Sequence, residues 1–179
     1  MRRYQPVFNG LKNLIAEINR LEVVMLDKIA RTDSSSAQLF IRIALAVVIF
    51  AHGAQKVFGW FGGPGMNETF RIFAQAGLTT LPVILLMATE TVGPLCLFFG
   101  FLTRIAALAI GTAITACMFM NHLQNGFFMN WFGRQAGEGY EYHILIIGMC
   151  LALFFRGGGL FSIDFSLTPK RRFPSTLES

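Results

Sequence analysis

The stretch that decides the fold is Met87-Ala-Thr-Glu-Thr-Val-Gly-Pro-Leu95, inside an apolar run from Leu81 to Leu102. At about 1.5 Å per residue, this run is long enough to cross the ~30 Å hydrocarbon core of a bilayer. Glu90 puts a carboxylate where hydrocarbon is expected, and Pro94 has no N–H to bond the Glu90 carbonyl. A membrane tolerates such groups only where protein or water satisfies them. We therefore expect Glu90 to face partners inside a helical bundle.

The composition of the whole chain is typical of an integral membrane protein. Of its 179 residues, 54% are hydrophobic and 14% are charged, whereas roughly a quarter of the residues in a soluble domain are charged. Basic residues flank the apolar segments, so the net charge of +5 indicates membrane topology rather than nucleic-acid binding. The three cysteines fall inside apolar segments without a C-x-x-C pair. We interpret them as packing residues rather than as a disulfide framework.

Four apolar segments predict an all-α fold, a polytopic membrane protein built as a bundle of four transmembrane helices. The segments run from about Ala37 to Gly59, Leu81 to Leu102, Ile105 to Leu123 and Tyr140 to Phe155. A short amphipathic helix at 67–76 cannot span a bilayer. We expect it at the membrane interface between the first two spans.

The two ends of the chain are more polar than this four-helix domain, which we place at residues 37–164. Within residues 1–36, apolar positions recur at helical spacing from 7 to 31 opposite a charged face. This pattern predicts an amphipathic cytoplasmic helix, either on the membrane surface or against the bundle. Residues 165–179 form a basic tail that we expect to be flexible. Because Lys and Arg concentrate in both termini and at Arg104, both termini are predicted to face the cytoplasm.

By this topology, polar side chains from all four spans gather in the half of the bundle away from the termini. His52 and Lys56 lie one helical turn apart, so they share a face, and Gly53 beside them allows another helix to approach closely. We predict that Glu90 pairs with His52 or Lys56. Further polar residues end the third span, open the fourth and line the loop between them: Asn121, His122, Asn125 and Glu141.

Two interpretations of these polar residues stay open. In one, the groups satisfy each other and hold four helices in a single packing. In the other, they form an outward-facing pocket for a lipid-soluble molecule such as a quinone, which needs a hydrogen-bond donor, a proton-handling group and apolar walls. A metal site formed by Glu90 with the three histidines is disfavoured. No H-x-x-H or E-x-x-H pair occurs, and His52, His122 and His143 come from different helices.

One connected string of residues extends from Leu39 to Asp164. It reads Arg42…His52-Gly53…Lys56…Gly59, Phe70…Gly77, Glu90-x-x-Gly93…Gly100…Arg104-x-Ala-Ala, Asn125-Gly-Phe-Phe128, Gly139-Tyr-Glu141 and Gly157-x-Gly-x-x-Ser-Ile-Asp164. This string resembles the DoxX family of small four-helix bacterial membrane proteins. The resemblance implies an inner-membrane bundle associated with quinol oxidation, thiosulfate:quinone oxidoreduction or quinone and thiol stress. The chain departs from the family pattern at Pro94, at Leu160 and in the added segment 7–31.

We therefore expect a redox-associated subunit that binds a quinone, a quinol or a related small aromatic molecule in the outer half of the bundle. Glu90 and His52 are the expected proton-handling pair. The expected substrate-binding residues also include Lys56 and Arg42 as electrostatic supports and Asn125 and Glu141 at the rim. Asn121 and His122 complete this set. The alternative is a non-enzymatic scaffold or small-molecule permease in which the same residues are structural.

The sequence shows no cofactor site beyond the quinone itself, and we assign no metal ligands. Electrons would then have to come from a redox partner protein, bound at the N-terminal helix or elsewhere on the cytoplasmic face. The other expected partners are the lipid bilayer and, in a homo-oligomer, further copies of the chain.

Overall fold

The computed structural model describes residues 12–18, 20, 32 and 34–168. These residues are helical or irregular and include no strand, which confirms the all-α class for the described part of the chain. Residues 12–18 of the predicted N-terminal helix are helical and exposed. The rest of the predicted helix, apart from residue 20, and the tail beyond 168 lie outside the described residues.

Six α-helices make up residues 37–167. They are α1 (Ala37–Phe58), α2 (Gly65–Gln75), α3 (Thr80–Phe99), α4 (Thr103–Cys117), α5 (Glu141–Arg156) and α6 (Ile163–Leu167). A π-helical turn (Met118–His122) and a 3₁₀ turn (Leu123–Asn125) continue α4, and another 3₁₀ turn (Trp60–Gly62) precedes α2. Since α6 extends past residue 164, the domain boundary predicted there falls inside a helix.

Three of the described helical runs are long and apolar enough to cross a membrane: Ala37–Phe58, Thr80–Phe99 and Thr103–Asn125. The helix predicted as the fourth span, α5, has 16 residues. Its length is about 24 Å, which is shorter than the ~30 Å hydrocarbon core. Length and composition therefore establish three candidate spans rather than the predicted four.

The core of the bundle lies where α1, α3, α4 and α5 meet. Its fully buried apolar side chains include Leu45, Ile49, Leu97, Ile110, Ile146 and Leu153. The same helices expose large apolar side chains on their outer faces, such as Phe40, Leu85, Leu108 and Leu145. Helices that are apolar on all sides are typical of a bundle surrounded by lipid.

Helices α1 and α3 make close backbone contact at Gly53. A Cβ atom at Gly53 would collide with the carbonyl oxygen of Glu90. The prediction that Gly53 allows a close helix approach is confirmed. Helix α3 continues through Pro94, and the Glu90 carbonyl that this proline cannot bond is covered by α1.

At the other end of the bundle, a buried arginine bonds the carboxyl end of α3. Arg42 is 0% exposed. Its Nη1 donates to the carbonyls of Leu97 and Phe98, at 2.9 and 3.1 Å, and its Nη2 donates to that of Phe161 at 3.1 Å. The last carbonyls of a helix have no partner within the helix, so Arg42 supplies one.

Asp164 bonds the amino end of α4 as Arg42 bonds the carboxyl end of α3. Its carboxylate oxygens accept hydrogen bonds from the backbone N–H groups of Leu102 and Thr103, both at 2.9 Å. Its own N–H donates to the Gly100 carbonyl at 2.9 Å. Gly100 has a φ of +66°, and a Cβ there would collide with Ser162. The short turn between α3 and α4 is therefore fixed by a segment far along the chain.

Candidate functional site

Glu90 and Lys56 form an ion pair between α3 and α1. Lys56 Nζ lies 2.6 Å from Glu90 Oε2. Glu90 is 7% exposed, and the Lys56 side chain is 21% exposed. The prediction that Glu90 pairs with His52 or Lys56 is confirmed, with Lys56 as the partner. The pair is therefore mostly buried, and part of the Lys56 side chain stays exposed.

The His52 side chain is exposed on α1, one turn before Lys56. The Lys56 ammonium group also contacts the His52 carbonyl, at 3.5 Å. The imidazole is within electrostatic range of both Lys56 and Glu90, although the described residues include no hydrogen bond between His52 and Glu90. His52 therefore stands beside the ion pair rather than within it.

A thiol and two imidazoles lie next to this pair. Cys117, His122 and His143 each place a ligand-type atom within 4.8 Å of those of the other two. The rings of His122 and His143 pack against each other at a tilt of 42°, with centroids 4.3 Å apart. The Cys117 thiol is within electrostatic range of Lys56 and Glu90, and His143 is within range of His52. We call the whole group the polar cluster: His52, Lys56, Glu90, Cys117, His122 and His143.

The π-turn after α4 is what puts Cys117 and His122 on one side. In this turn the Leu123 N–H bonds the carbonyl of Met118, five residues back. An α-helix has 3.6 residues per turn, so residues five apart point in different directions. A π-turn brings residues five apart over one another, and such turns are frequent at functional sites.

The three other predicted rim residues mainly hold the loop together. Asn125 Nδ2 donates to the carbonyls of Asn121 and Glu138, at 3.2 and 3.0 Å. Glu141 Oε1 accepts the Met129 N–H at 2.9 Å. Of the three, only Asn121 contacts the polar cluster, with its Nδ2 at 4.0 Å from Cys117 Sγ.

Arg42, predicted as an electrostatic support for Glu90, lies elsewhere. Along α1 it is about 21 Å from Lys56 at 1.5 Å per residue. Its guanidinium group is bonded to the carboxyl end of α3 and to Phe161. Arg42 is therefore not part of the polar cluster, because helix-end carbonyls at the opposite end of the bundle already take its hydrogen bonds.

An apolar groove of about 470 Å³ lies between α4 and α5. Its walls include Ala107, Gly111, Thr115, Phe119, Ile147 and Leu151. Phe119 is two residues from Cys117, so the groove ends at a similar height along the bundle. Residues two apart on a helix point in nearly opposite directions, and no residue of the polar cluster lines the groove.

The comparisons with known proteins agree with this architecture. Residues 37–123, from the start of α1 to the end of the π-turn and its next residue, match the family model for DoxX. This part of the chain belongs to the DoxX family. The resemblance read from the sequence is thereby confirmed. The DoxX match includes most of the polar cluster and leaves out only His143, on α5. This match and the three apolar helical runs point to a multi-pass membrane protein.

One relative of this DoxX protein is the "Putative oxidoreductase CatD" of Bacillus subtilis (strain 168). It is 25% identical over 115 residues, which cover 64% of this chain and 76% of the relative. No solved structure matches the chain.

Proposed function

We propose that this protein is a redox-associated subunit of the bacterial inner membrane that binds a quinone or quinol headgroup at the polar cluster. The observation that carries the proposal is the Lys56–Glu90 ion pair, which is mostly buried between two helices, with part of the Lys56 side chain exposed. The name of CatD, a putative oxidoreductase, supports the same class of chemistry.

The chemistry of the pair suits a quinone headgroup. Lys56 has donors that can bond a quinone carbonyl oxygen, and Glu90 is an acceptor that can take or give a proton. His52, exposed beside them, titrates near neutral pH in ordinary surroundings and can pass protons to water. Reduction of a quinone takes two electrons and two protons, and the electrons would come from a redox partner protein.

The groove between α4 and α5 suits the rest of such a ligand. It is apolar, it lies between two helices that we place in the membrane, and Phe119 at one end is two residues from Cys117. An isoprenoid tail lying in this groove would gain hydrophobic stabilisation in the way that ligand pockets usually provide it.

The topology proposed with this function has four spans, with α5 as the fourth. Helix α5 is antiparallel to α4 and contacts its start, where Arg104 Nη1 donates to the Phe154 carbonyl at 2.7 Å. With basic residues at this end, both termini would face the cytoplasm and the polar cluster would face outward. A cysteine introduced at Phe128 should then react with a membrane-impermeant label from outside the cell, and labelling only after lysis would contradict this orientation.

Quinone binding is tested with the full chain in lipid nanodiscs and a short-chain quinone analogue. Glu90→Gln should weaken binding about 10-fold or more, because a hydrogen bond to a charged group contributes roughly 1.5–3 kcal/mol. The matched control is Glu68→Gln on α2. Hydrogen bonds from Arg71 hold the pKa of Glu68 below its ordinary value, so this control also removes one negative charge at neutral pH.

The alternative function, a scaffold or permease with a structural polar cluster, predicts another result. Glu90→Gln would then bind the analogue as tightly as the wild type, or neither protein would bind it. In both cases the variant would unfold at a lower temperature than Glu68→Gln. Either outcome would refute the quinone proposal.

A further inference from the structure

We propose that Cys117, His122 and His143 bind one thiophilic transition-metal ion of the class of Zn²⁺ and Cu⁺. The inference does not depend on quinone binding, since it rests on a different part of the polar cluster. A thiolate with two imidazoles is a soft to borderline ligand set, which favours zinc and copper over magnesium or calcium.

The spacing of the three ligand atoms is close to what such a site requires. Zn–S bonds are about 2.3 Å and Zn–N bonds about 2.0–2.1 Å, so tetrahedral ligand atoms lie about 3.5 Å apart. The three atoms here lie within 4.8 Å of one another. Side-chain rotations that move these atoms by on the order of 1 Å would complete the site.

The hydrogen bond of His122 gives that ring the form a metal ligand needs. Its Nδ1 is 2.9 Å from the carbonyl oxygen of Glu138. A carbonyl only accepts, so Nδ1 carries the hydrogen in the neutral ring and Nε2 keeps a free lone pair. A backbone carbonyl bonded to the second nitrogen is the usual outer support of a metal-bound histidine.

The ring of His143 supplies an independent observation. It is 6% exposed, and its buried Nδ1 has no hydrogen-bond partner among the described residues. Leaving a buried polar atom unsatisfied destabilises a folded protein. This ring packs at a tilt against that of His122, beside the Cys117 thiol. A bound ion would provide a partner for the His143 imidazole, which lies next to two other potential ligands, Cys117 and His122.

Three protein ligands leave one coordination position for water or another small ligand. Catalytic zinc sites keep this arrangement, whereas structural sites are closed by four protein ligands. Helices α1 and α3 bring Lys56 and Glu90 within electrostatic range of the thiol. The inferred site therefore resembles catalytic zinc sites in having one open coordination position. It also lies near the Lys56–Glu90 ion pair.

Metal titration of the purified full chain tests the inference. After treatment with a chelator, the protein in nanodiscs receives Co²⁺ as a spectroscopic probe, Zn²⁺ in competition with it, and Cu⁺ separately. We expect one ion per chain and a thiolate-to-cobalt charge-transfer band. Cys117→Ser should abolish the band and weaken Zn²⁺ binding more than ~100-fold, beyond the 10–100-fold effect of losing an outer-shell partner.

Three further variants make the test specific. Cys96→Ser changes a cysteine of α3 outside the polar cluster and should keep both the band and the affinity. His122→Cys keeps a ligand at the same place and should retain tight binding, with circular dichroism confirming the fold. Glu90→Gln should keep the metal stoichiometry, so that loss of quinone binding and loss of metal binding are told apart.

Two results would overturn the inference. One is a folded wild-type protein that takes up neither Zn²⁺ nor Cu⁺ at one ion per chain. The other is a Cys117→Ser variant whose cobalt band and Zn²⁺ affinity equal those of the wild type.

Discussion

Both ends of this helical bundle contain buried charged side chains, but these side chains bond different kinds of partner at each end. At one end, Arg42 and Asp164 direct their charged atoms at backbone groups of helix termini. At the other end, Glu90 bonds the side chain of Lys56, and three imidazoles and a thiol lie nearby. Backbone groups do not titrate at physiological pH, whereas these side chains can change proton or ligand. The first end therefore fixes the helices, and the second keeps the capacity for chemistry.

The largest expected effect on stability comes from the end of the bundle where Arg42 bonds backbone carbonyls. Arg42→Met would leave the carbonyls of Leu97, Phe98 and Phe161 without this donor and would remove a positive charge within electrostatic range of Asp164. Removing one member of a buried charged network costs about 3–5 kcal/mol. Unfolding in mild detergent measures the loss, with the exposed arginine variant Arg71→Met as the control. Equal unfolding temperatures for the two variants would mean that Arg42 does not hold this end together.

A smaller effect is expected where α1 and α3 touch beside the ion pair. Gly53→Ala forces a Cβ against the Glu90 carbonyl, and overpacking of this kind costs about 1–3 kcal/mol. Gly148→Ala is the matched control in α5, because a Cβ there has open space around it. An alanine at such a helical position should stabilise the protein by about 0.5–1 kcal/mol. Two variants of the same stability would contradict the close contact at Gly53.

The smallest effect on stability is expected from removing both members of the ion pair. Lys56→Met combined with Glu90→Leu exchanges the pair for apolar side chains of similar size, which is often neutral or stabilising. We expect the free energy of unfolding to fall by less than about 1 kcal/mol, while quinone binding is lost. A loss as large as that of Arg42→Met would show that both ends are structural, and the contrast between them would disappear.

Much of the fold followed from apolar length and from spacing along single helices. The bounds of α1 and α3 agree with the predicted spans to within a few residues. The pairing of Glu90 with Lys56 was predicted because His52 and Lys56, one helical turn apart, lie at about the same membrane depth as Glu90. The approach at Gly53 followed from the size of glycine. These three predictions succeeded because the geometry of a regular α-helix determines which residues share a face and at what depth they lie.

The parts that escaped prediction depend on irregular backbone or on distant segments. Cys117 was interpreted as a packing residue, and the position of its thiol within 4.8 Å of ligand-type atoms of His122 and His143 was not predicted. Cys117 and His122 are five residues apart, and only the π-turn brings their side chains to the same side of the helix. The periodicity of the sequence does not predict a π-turn. The partners of Arg42 are carbonyl oxygens, which every residue possesses, so residue types could not reveal them. The predicted bounds of α5 agree with the observed ones to within one residue, but its 16 residues are fewer than a ~30 Å hydrocarbon core requires.

The bonding of Arg42 also has a consequence for the order in which this protein is assembled. Two of its acceptors belong to α3, and the third belongs to Phe161, near the end of the described chain. Synthesis proceeds from the N-terminus, so α1 is made before any of these carbonyls. Until they are in place, Arg42 can keep its charge hydrated by extending along the helix toward the membrane surface. Closure of the bundle around Arg42 therefore requires almost the whole described chain.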